Sequence, residues 1–493
     1  MQEPGNRKKR SRGIAIVLTT LTLSVTLPLV GLGFDVGTLY LIKSKLSAAS
    51  DSAALAGARA LSEGANEAAQ ETNATSTAQS FFSGNFPTAY WNTTGASATV
   101  TIDATSTPNY RTVTVNATVT APLYFLRVLN QQNSTINVTS QAGRRDVMMM
   151  LVLDRSNSMN QIVAGTGLSA CSIMQTDAQA FLGYFAPGRD EIGLVVFGSS
   201  TYTYPPTTSF TTPDANGNTI GSLIASITCF GDTSTAAAMN AAYGQILAVN
   251  STTRENVVTL MTDGLPTSIT SDFVVDHLVR SNDGSCNPTG PSVFGGGTVN
   301  GNMFPGGSLG LLVPSQPSLG SPDTVILPTG NGCHFWAPLG SYVNMGYVSY
   351  DIAGLPTTDY WGNATQGPYT TESPAYGSAA NLNDVTDAQG AVYAAINAVD
   401  NQANVIRTNA TLKPYIYTIG LSGDGAVDQY PDPLLLMKMA NDPNLAGITG
   451  AGQTFYNQQI GQPQGLNVNA PDATQLAMAF DTIARQISIR LSQ

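Results

Sequence analysis

The stretch Val147-Met148-Met149-Met150-Leu151-Val152-Leu153-Asp154-Arg155-Ser156-Asn157-Ser158 decides how this chain is read. Its first seven residues are uninterruptedly apolar and follow Arg144-Arg145-Asp146. A run of that length suits a strand buried on both faces of a parallel sheet. Asp154, Ser156 and Ser158 then fall just past the carboxyl end of the strand, where open α/β sheets form their ligand crevice. One carboxylate and two hydroxyls are hard oxygen donors, suited to Mg2+, Mn2+ or Ca2+, whereas zinc favours His or Cys. Taken alone, the pentapeptide also reads as a helix N-cap, because Asp and Ser satisfy the free N–H groups at helix starts.

Two later segments extend the pattern. Gly231-Asp232-Thr233-Ser234-Thr235 opens a helix-like run at 236–249, and Asp263 follows an apolar strand at 257–261 within Thr262-Asp263-Gly264. Thr233 and Thr235 are rival hydroxyl donors. The set resembles the von Willebrand factor A (VWA) family and its metal-ion-dependent adhesion site (MIDAS), matched by Asp154, Ser156, Ser158, Thr233 and Asp263. The family pattern selects Thr233 over Thr235. The resemblance implies a doubly wound, Rossmann-like α/β domain that holds a divalent cation, Mg2+ first and Mn2+ or Ca2+ otherwise. It also implies a protein partner whose Asp or Glu carboxylate completes the ion's shell. Such a site binds and is not an enzyme.

The rest of the pattern supports a doubly wound sheet. A helix is expected around 172–185, strands at 192–197 and 415–420, and helices at 386–402, 433–441 and 473–490. Asp190 and Glu191 read as a solvated strand start, and Met148, Met149 and Met150 as core filling. Between the strand at 257–261 and the helix at 386–402, residues 268–385 are rich in Gly, Pro, Asn and Ser, with Gly295-Gly296-Gly297 and Gly306-Gly307. So long a segment inside a compact domain reads as an insertion. Leaving from the Asp263 strand, it begins on the metal face. Its aromatics Trp336, Tyr342, Tyr347, Tyr350, Tyr360 and Trp361 read either as a contact surface or as the insertion's own core.

Composition narrows the class. Of 493 residues, 42% are hydrophobic and only 11% charged, which fits a structured extracytoplasmic protein better than a disordered one. The formal charge is -11, yet residues 1–12 hold five basic side chains against Glu3, so the remainder carries -15. An acidic body argues against nucleic acid as a partner. The four cysteines allow three connectivities in an oxidising compartment. Pairing within each region, Cys171 with Cys229 and Cys286 with Cys333, is expected; free buried thiols are the alternative. A zinc cluster is disfavoured, since no Cys-x-x-Cys occurs and the two histidines are His277 and His334.

Residues 13–34 form an uncharged run of 22, about 33 Å as a helix and enough to span a bilayer. The preceding basic cluster places the N-terminus in the cytoplasm and the bulk of the chain outside. A cleaved signal peptide is the other reading, but it would have a shorter apolar core and an Ala-x-Ala exit soon after it, and neither is evident. Leu39, Ile42, Leu46, Ala49, Ala53, Ala56 and Ala60 then fall at helical spacing. Residues 84–144 alternate Thr and Val as half-exposed strands do, as in Thr112-Val113-Thr114-Val115.

The basic leader, the apolar span, Asp35-Val36-Gly37 and the run from Leu46 through Asp51-Ser52-Ala53-Ala54-Leu55-Ala56 resemble the N-terminal module of Tad (tight adherence) pilus-assembly proteins. Leu18 stands where prepilin-like members carry Glu. The combined resemblance is to TadG-like Flp/Tad proteins that join this leader to a VWA domain, and it implies a single-pass protein of the bacterial inner membrane whose partners include other pilus-assembly components. The expected organisation is a leader at 1–12, a membrane helix at 13–34, a helix-plus-β module at 35–145, VWA parts at 146–267 and 386–493, and the insertion at 268–385. An envelope scaffold with a stabilising or vestigial metal site is the alternative function. A serine hydrolase using Ser156 or Ser158 is disfavoured, because neither serine stands in a Gly-x-Ser-x-Gly elbow.

Overall fold

The computed structural model describes residues 7–163, 166–198, 201–229, 231–271, 273–281, 298–299, 310–312, 324–327, 348–352, 357–367, 388–421, 432–447 and 458–491. The chain divides into two compact units, one running to Arg144 and the other from Arg145 onward.

The first unit begins with helix α1, Arg7–Ala60, which contains Pro28. Residues 15–30 are exposed along its whole circumference, whereas Ile42, Leu46, Ala49 and Ala53 are buried. Helix α2, Glu67–Asn85, follows, capped by Asn66, whose side chain accepts from the Ala69 N–H. Three antiparallel strands complete the unit in the order β1 (Thr94–Thr107), β2 (Tyr110–Pro122) and β3 (Asn133–Arg145). Alternation in β2 buries Val113, Val115, Ala117, Val119 and Ala121 against α1 and α2. The sequence reading missed α2. The residues it buries at four-residue spacing are Gln70, Ala74, Ala78 and Phe82, and only one of these is large and apolar.

The second unit is the α/β domain. Its elements are β4 (Val147–Asp154), α3 (Ala170–Leu182), β5 (Glu191–Phe197), β6 (Thr201–Thr207), α4 (Ile220–Ala225), α5 (Thr235–Val249) and β7 (Glu255–Thr262). After the insertion come α6 (Ala388–Arg407), β14 (Tyr415–Leu421), α7 (Pro433–Ala440), β15 (Asn467–Ala470) and α8 (Leu476–Leu491). The sheet order is β15-β14-β7-β4-β5-β6, parallel except for β6, which pairs antiparallel with β5. Period-two alternation divides β4 between two cores. Val147, Met149, Leu151 and Leu153 pack with α3, α4 and α8, while Met148, Met150 and Val152 pack with α5, α6 and α7.

Within residues 268–385 the described strands are β8 (Ile269–Ser271), β9 (Phe273–Ser281), β10 (Thr298–Val299), β11 (Gly310–Leu312), β12 (Thr324–Leu327) and β13 (Val348–Ile352). They form a second, antiparallel sheet in the order β10-β9-β13-β12-β11-β8. Tyr350 lies on β13, and Tyr360 is exposed with its ring edge-on to Trp361 at 5.8 Å. Trp336, Tyr342, Tyr347 and the expected Cys286 with Cys333 bridge lie outside the described residues.

Asp190 corrects the sequence reading, because it is fully buried rather than solvated. Its carboxylate accepts from the Val147 N–H at 2.9 Å and the Ala186 N–H at 2.6 Å, tying the start of β4 to the turn before β5. Burying that carboxylate satisfies backbone donors that would otherwise be orphaned.

Candidate metal centre

The register of the central strands builds the site. Leu153 of β4 lies opposite Met261 of β7, and Asp154 opposite Phe197 of β5. The two strands therefore deliver Asp154, Thr262 and Asp263 side by side at their carboxyl ends. After Asp154 the chain turns. The Arg155 N–H donates to the Phe197 carbonyl at 2.7 Å, and the Asn157 N–H to the Gly231 carbonyl at 2.8 Å. The second bond joins the Ser156 and Ser158 loop to the Thr233 loop. Asn160 reinforces it, its side-chain amide donating to the Cys229 carbonyl at 2.7 Å, and the Cys171–Cys229 disulfide anchors the same segment to α3.

All five expected donors gather here. Asp154 accepts from the Ser156 N–H at 2.7 Å through Oδ1 and from the Thr262 hydroxyl at 2.5 Å through Oδ2. Ser156 Oγ and Ser158 Oγ are 2.8 Å apart, and Ser158 Oγ donates to Asp263 Oδ1 at 2.7 Å. Ser156 Oγ reaches the same carboxylate oxygen at 3.5 Å. Ser158 Oγ and Thr233 Oγ1 lie 3.8 and 3.9 Å from the point that a Cβ on Gly264 would occupy, so Gly264 leaves the space between them open. Thr235 is buried as the first residue of α5, with its hydroxyl unpartnered. Among the five, Asp154, Ser156, Thr233 and Asp263 are buried and Ser158 is half-buried.

The electrostatics are those of two acids in one dry crevice. Burial raises the Asp154 carboxyl above its ordinary range, against the opposing hydrogen bonds from Thr262 and Ser156. Burial also raises Asp263, and the neighbouring Asp154 charge raises it further. A low-dielectric site disfavours each ionised form and disfavours both together more. Among the described residues, no three His, Cys, Asp or Glu side chains are grouped to share an ion. This donor set is instead two carboxylates and three hydroxyls, which is a fit for a hard divalent cation that would leave several positions to water or a partner.

Thr262 is the site residue that the sequence reading passed over. Its hydroxyl donates to Asp154 and accepts from the Gly264 N–H at 3.3 Å, locking the strand end against the turn. The available signal was its place as the last residue of the strand, next to Asp263. The insertion begins at the same rim. The Thr267 N–H donates to the Thr233 carbonyl at 3.0 Å, Thr267 Oγ1 accepts from the Thr233 N–H at 3.1 Å, and Ser268 Oγ lies 2.7 Å from Ser234 Oγ.

Two family models match parts of the chain. The von Willebrand factor type A domain model matches residues 149–265, and the putative Flp pilus-assembly TadE/G-like model matches residues 13–60. The chain carries a VWA domain. Its N-terminal segment is Tad-like, of the TadE/G kind. No curated protein matches. Similar solved structures include the pilus adhesin SpaC from Lactobacillus rhamnosus GG, 14% identical over 80% of this chain with a TM-score of 0.34. The alignment spans 35% of the length of that adhesin. A mutant of the PilB minor pilin from Streptococcus sanguinis is 13% identical, covering 81% of this chain and 80% of its own, with a TM-score of 0.36. The vWF domain of the type V pili tip protein Mfa5 from Porphyromonas gingivalis is 16% identical, covering 71% of this chain and 97% of its own, with a TM-score of 0.36.

Proposed function

We propose that this Tad-like VWA protein is anchored in the bacterial inner membrane by residues 13–34, faces outward, and binds a protein of the pilus-assembly or adhesion machinery through a divalent cation. The observation that carries the reading is the meeting of Asp154, Ser156, Ser158, Thr233 and Asp263 from three separate segments, with two buried carboxylates among them. These five would hold the ion, Mg2+ first and Mn2+ or Ca2+ otherwise. When bound, it supplies positive charge that offsets the paired acids and attracts a partner Asp or Glu. Half-buried Ser158 gives the site its opening to solvent. The work is binding, with no catalytic step. His277 sits on β9 and His334 lies outside the described residues.

The anchor reading is supported by one helix that is long and apolar enough to cross a membrane among the described residues, with its apolar window almost wholly unburied. A soluble core helix would be covered. The test is crosslinking of the full chain to its envelope neighbours in Mg2+ and in EDTA, with Asp263→Asn beside the parent. Neighbours captured only in Mg2+, and lost in Asp263→Asn, support the reading. Equal capture in EDTA removes the ion from the mechanism, and a Mg2+-raised melting temperature with unchanged capture would identify a scaffold with a stabilising ion.

A further inference from the structure

We propose that the turn after β2, residues 123–129, sits in the outer interface of the bilayer against the end of the α1 span, and that Asp35 is the residue positioning it there. This rests on the anchoring of α1 read above.

Asp35 follows the uncharged run directly and is fully buried. Its carboxylate takes three consecutive backbone donors from a segment about ninety positions further along the chain. Oδ1 accepts from the Tyr124 N–H at 2.8 Å, and Oδ2 from the Phe125 and Leu126 N–H groups at 3.0 and 2.8 Å. Backbone donors in a water-poor layer must be paired within the protein. A carboxylate at this height does that for a turn that could not otherwise enter.

The side chains of the turn reach back along the apolar segment. A Cβ on Gly31, one helical turn before Asp35, would lie 2.5 Å from Phe125 Cγ, so only glycine lets the ring lie against the helix there. The Phe34 ring stands edge-on to Tyr124 at 5.9 Å and to Phe125 at 5.7 Å. Asn92 donates to the Tyr124 hydroxyl at 3.2 Å, which brings the neighbouring Trp91 to the same end of the unit. Yet Phe125 remains 49% exposed, Trp91 43% and Tyr124 37%.

An aromatic group left bare at the level where an apolar span ends has the composition of the interfacial belt of membrane proteins. Exposed Arg127 follows within the turn, placed for anionic headgroups. The patch is continuous with the exposed apolar surface of residues 15–30, so the lipid that would cover one would cover the other.

The test uses the full chain in vesicles containing lipids brominated near the headgroup end of their acyl chains. Phe125→Trp is compared with the parent and with Thr107→Trp, at the end of β1 opposite Tyr110, the start of β2 and its far end from the turn. Loss of emission from Phe125→Trp beyond that of the parent, with none added in Thr107→Trp, is expected. If the chain stays in the membrane after alkaline carbonate and Phe125→Trp shows no added quenching, the interfacial turn is wrong and the anchor stands. Release of the chain by carbonate overturns both.

Discussion

Replacing Asp263 with Asn removes one charge from the crevice while keeping an oxygen for the Ser158 hydroxyl. In the metal-free protein the Asp263 carboxyl is pushed from 3.8 to about 8 and Asp154 to about 6, burial being the first cause in each case. A folded state that holds these protons more tightly than the unfolded chain is at its most stable below 3.8. It then loses stability as pH rises toward about 8, at about 1.4 kcal/mol per pH unit for each such group. For the pair the loss by neutral pH is on the order of a few kcal/mol, most of which Asn would recover, less its weaker hydrogen bonding. Asp263→Asn is therefore expected to be more stable than the parent in EDTA near pH 8, slightly less stable in strong acid, where only its weaker hydrogen bonding remains, and unresponsive to Mg2+. Saturating Mg2+ should raise the parent instead, because the ion replaces the protons. Urea unfolding of the detergent-solubilised chain across this pH range measures both differences. A variant less stable than the parent in EDTA near pH 8, with an undiminished response to Mg2+, would refute the account of a buried acid pair relieved by a cation.

Removing the Cys171–Cys229 bridge, which closes 58 residues, should cost up to about 4 kcal/mol by loop entropy; the paired serine variant against the parent, unfolded in urea, reads it. Asp35→Ala leaves the Tyr124, Phe125 and Leu126 N–H groups without their carboxylate and should destabilise the first unit by about 2–3 kcal/mol. Burial raises the Asp35 carboxyl, but those three N–H groups outweigh it and hold it below 3.8. Its contribution is thus present above that value and lost as pH falls, an acid dependence that the alanine variant should lack in parallel unfolding curves. Gly465→Ala would drive a Cβ into the Ile416 carbonyl of β14 and lose about 3 kcal/mol or more, visible as a lowered melting temperature.

The central strands were legible because a strand buried on both faces is mostly apolar, which β4 shows as an unbroken run from Val147 to Leu153 and β7 as Val257 to Met261 interrupted only by Thr259. Two flanking strands were not. Thr201–Thr207 contains Pro205 and Pro206, which argue against a strand, yet β6 sits at the sheet edge where a missing N–H is tolerated. Asn467–Ala470 is the opposite edge, short and polar, with no pattern to detect. Asp190 looked solvated because a charge next to Glu191 ordinarily is, and its burial depends on the Val147 and Ala186 N–H groups that it satisfies.

Residue types and local order alone determined that a hard-oxygen donor set stands at strand ends, that the fold alternates strand and helix, and that an uncharged helical stretch leads into an Ala-rich one. Those are properties of neighbours in the chain, set by side-chain chemistry and backbone periodicity. Tertiary structure decided which distant residues meet. Asp154 faces Thr262 because β4 and β7 are sheet neighbours in one register, and Asp35 is paired because the end of β2 folds back on α1. Parallel strands need long crossovers, and buried charges take whatever donors the packing brings within about 3 Å. No local pattern encodes either choice.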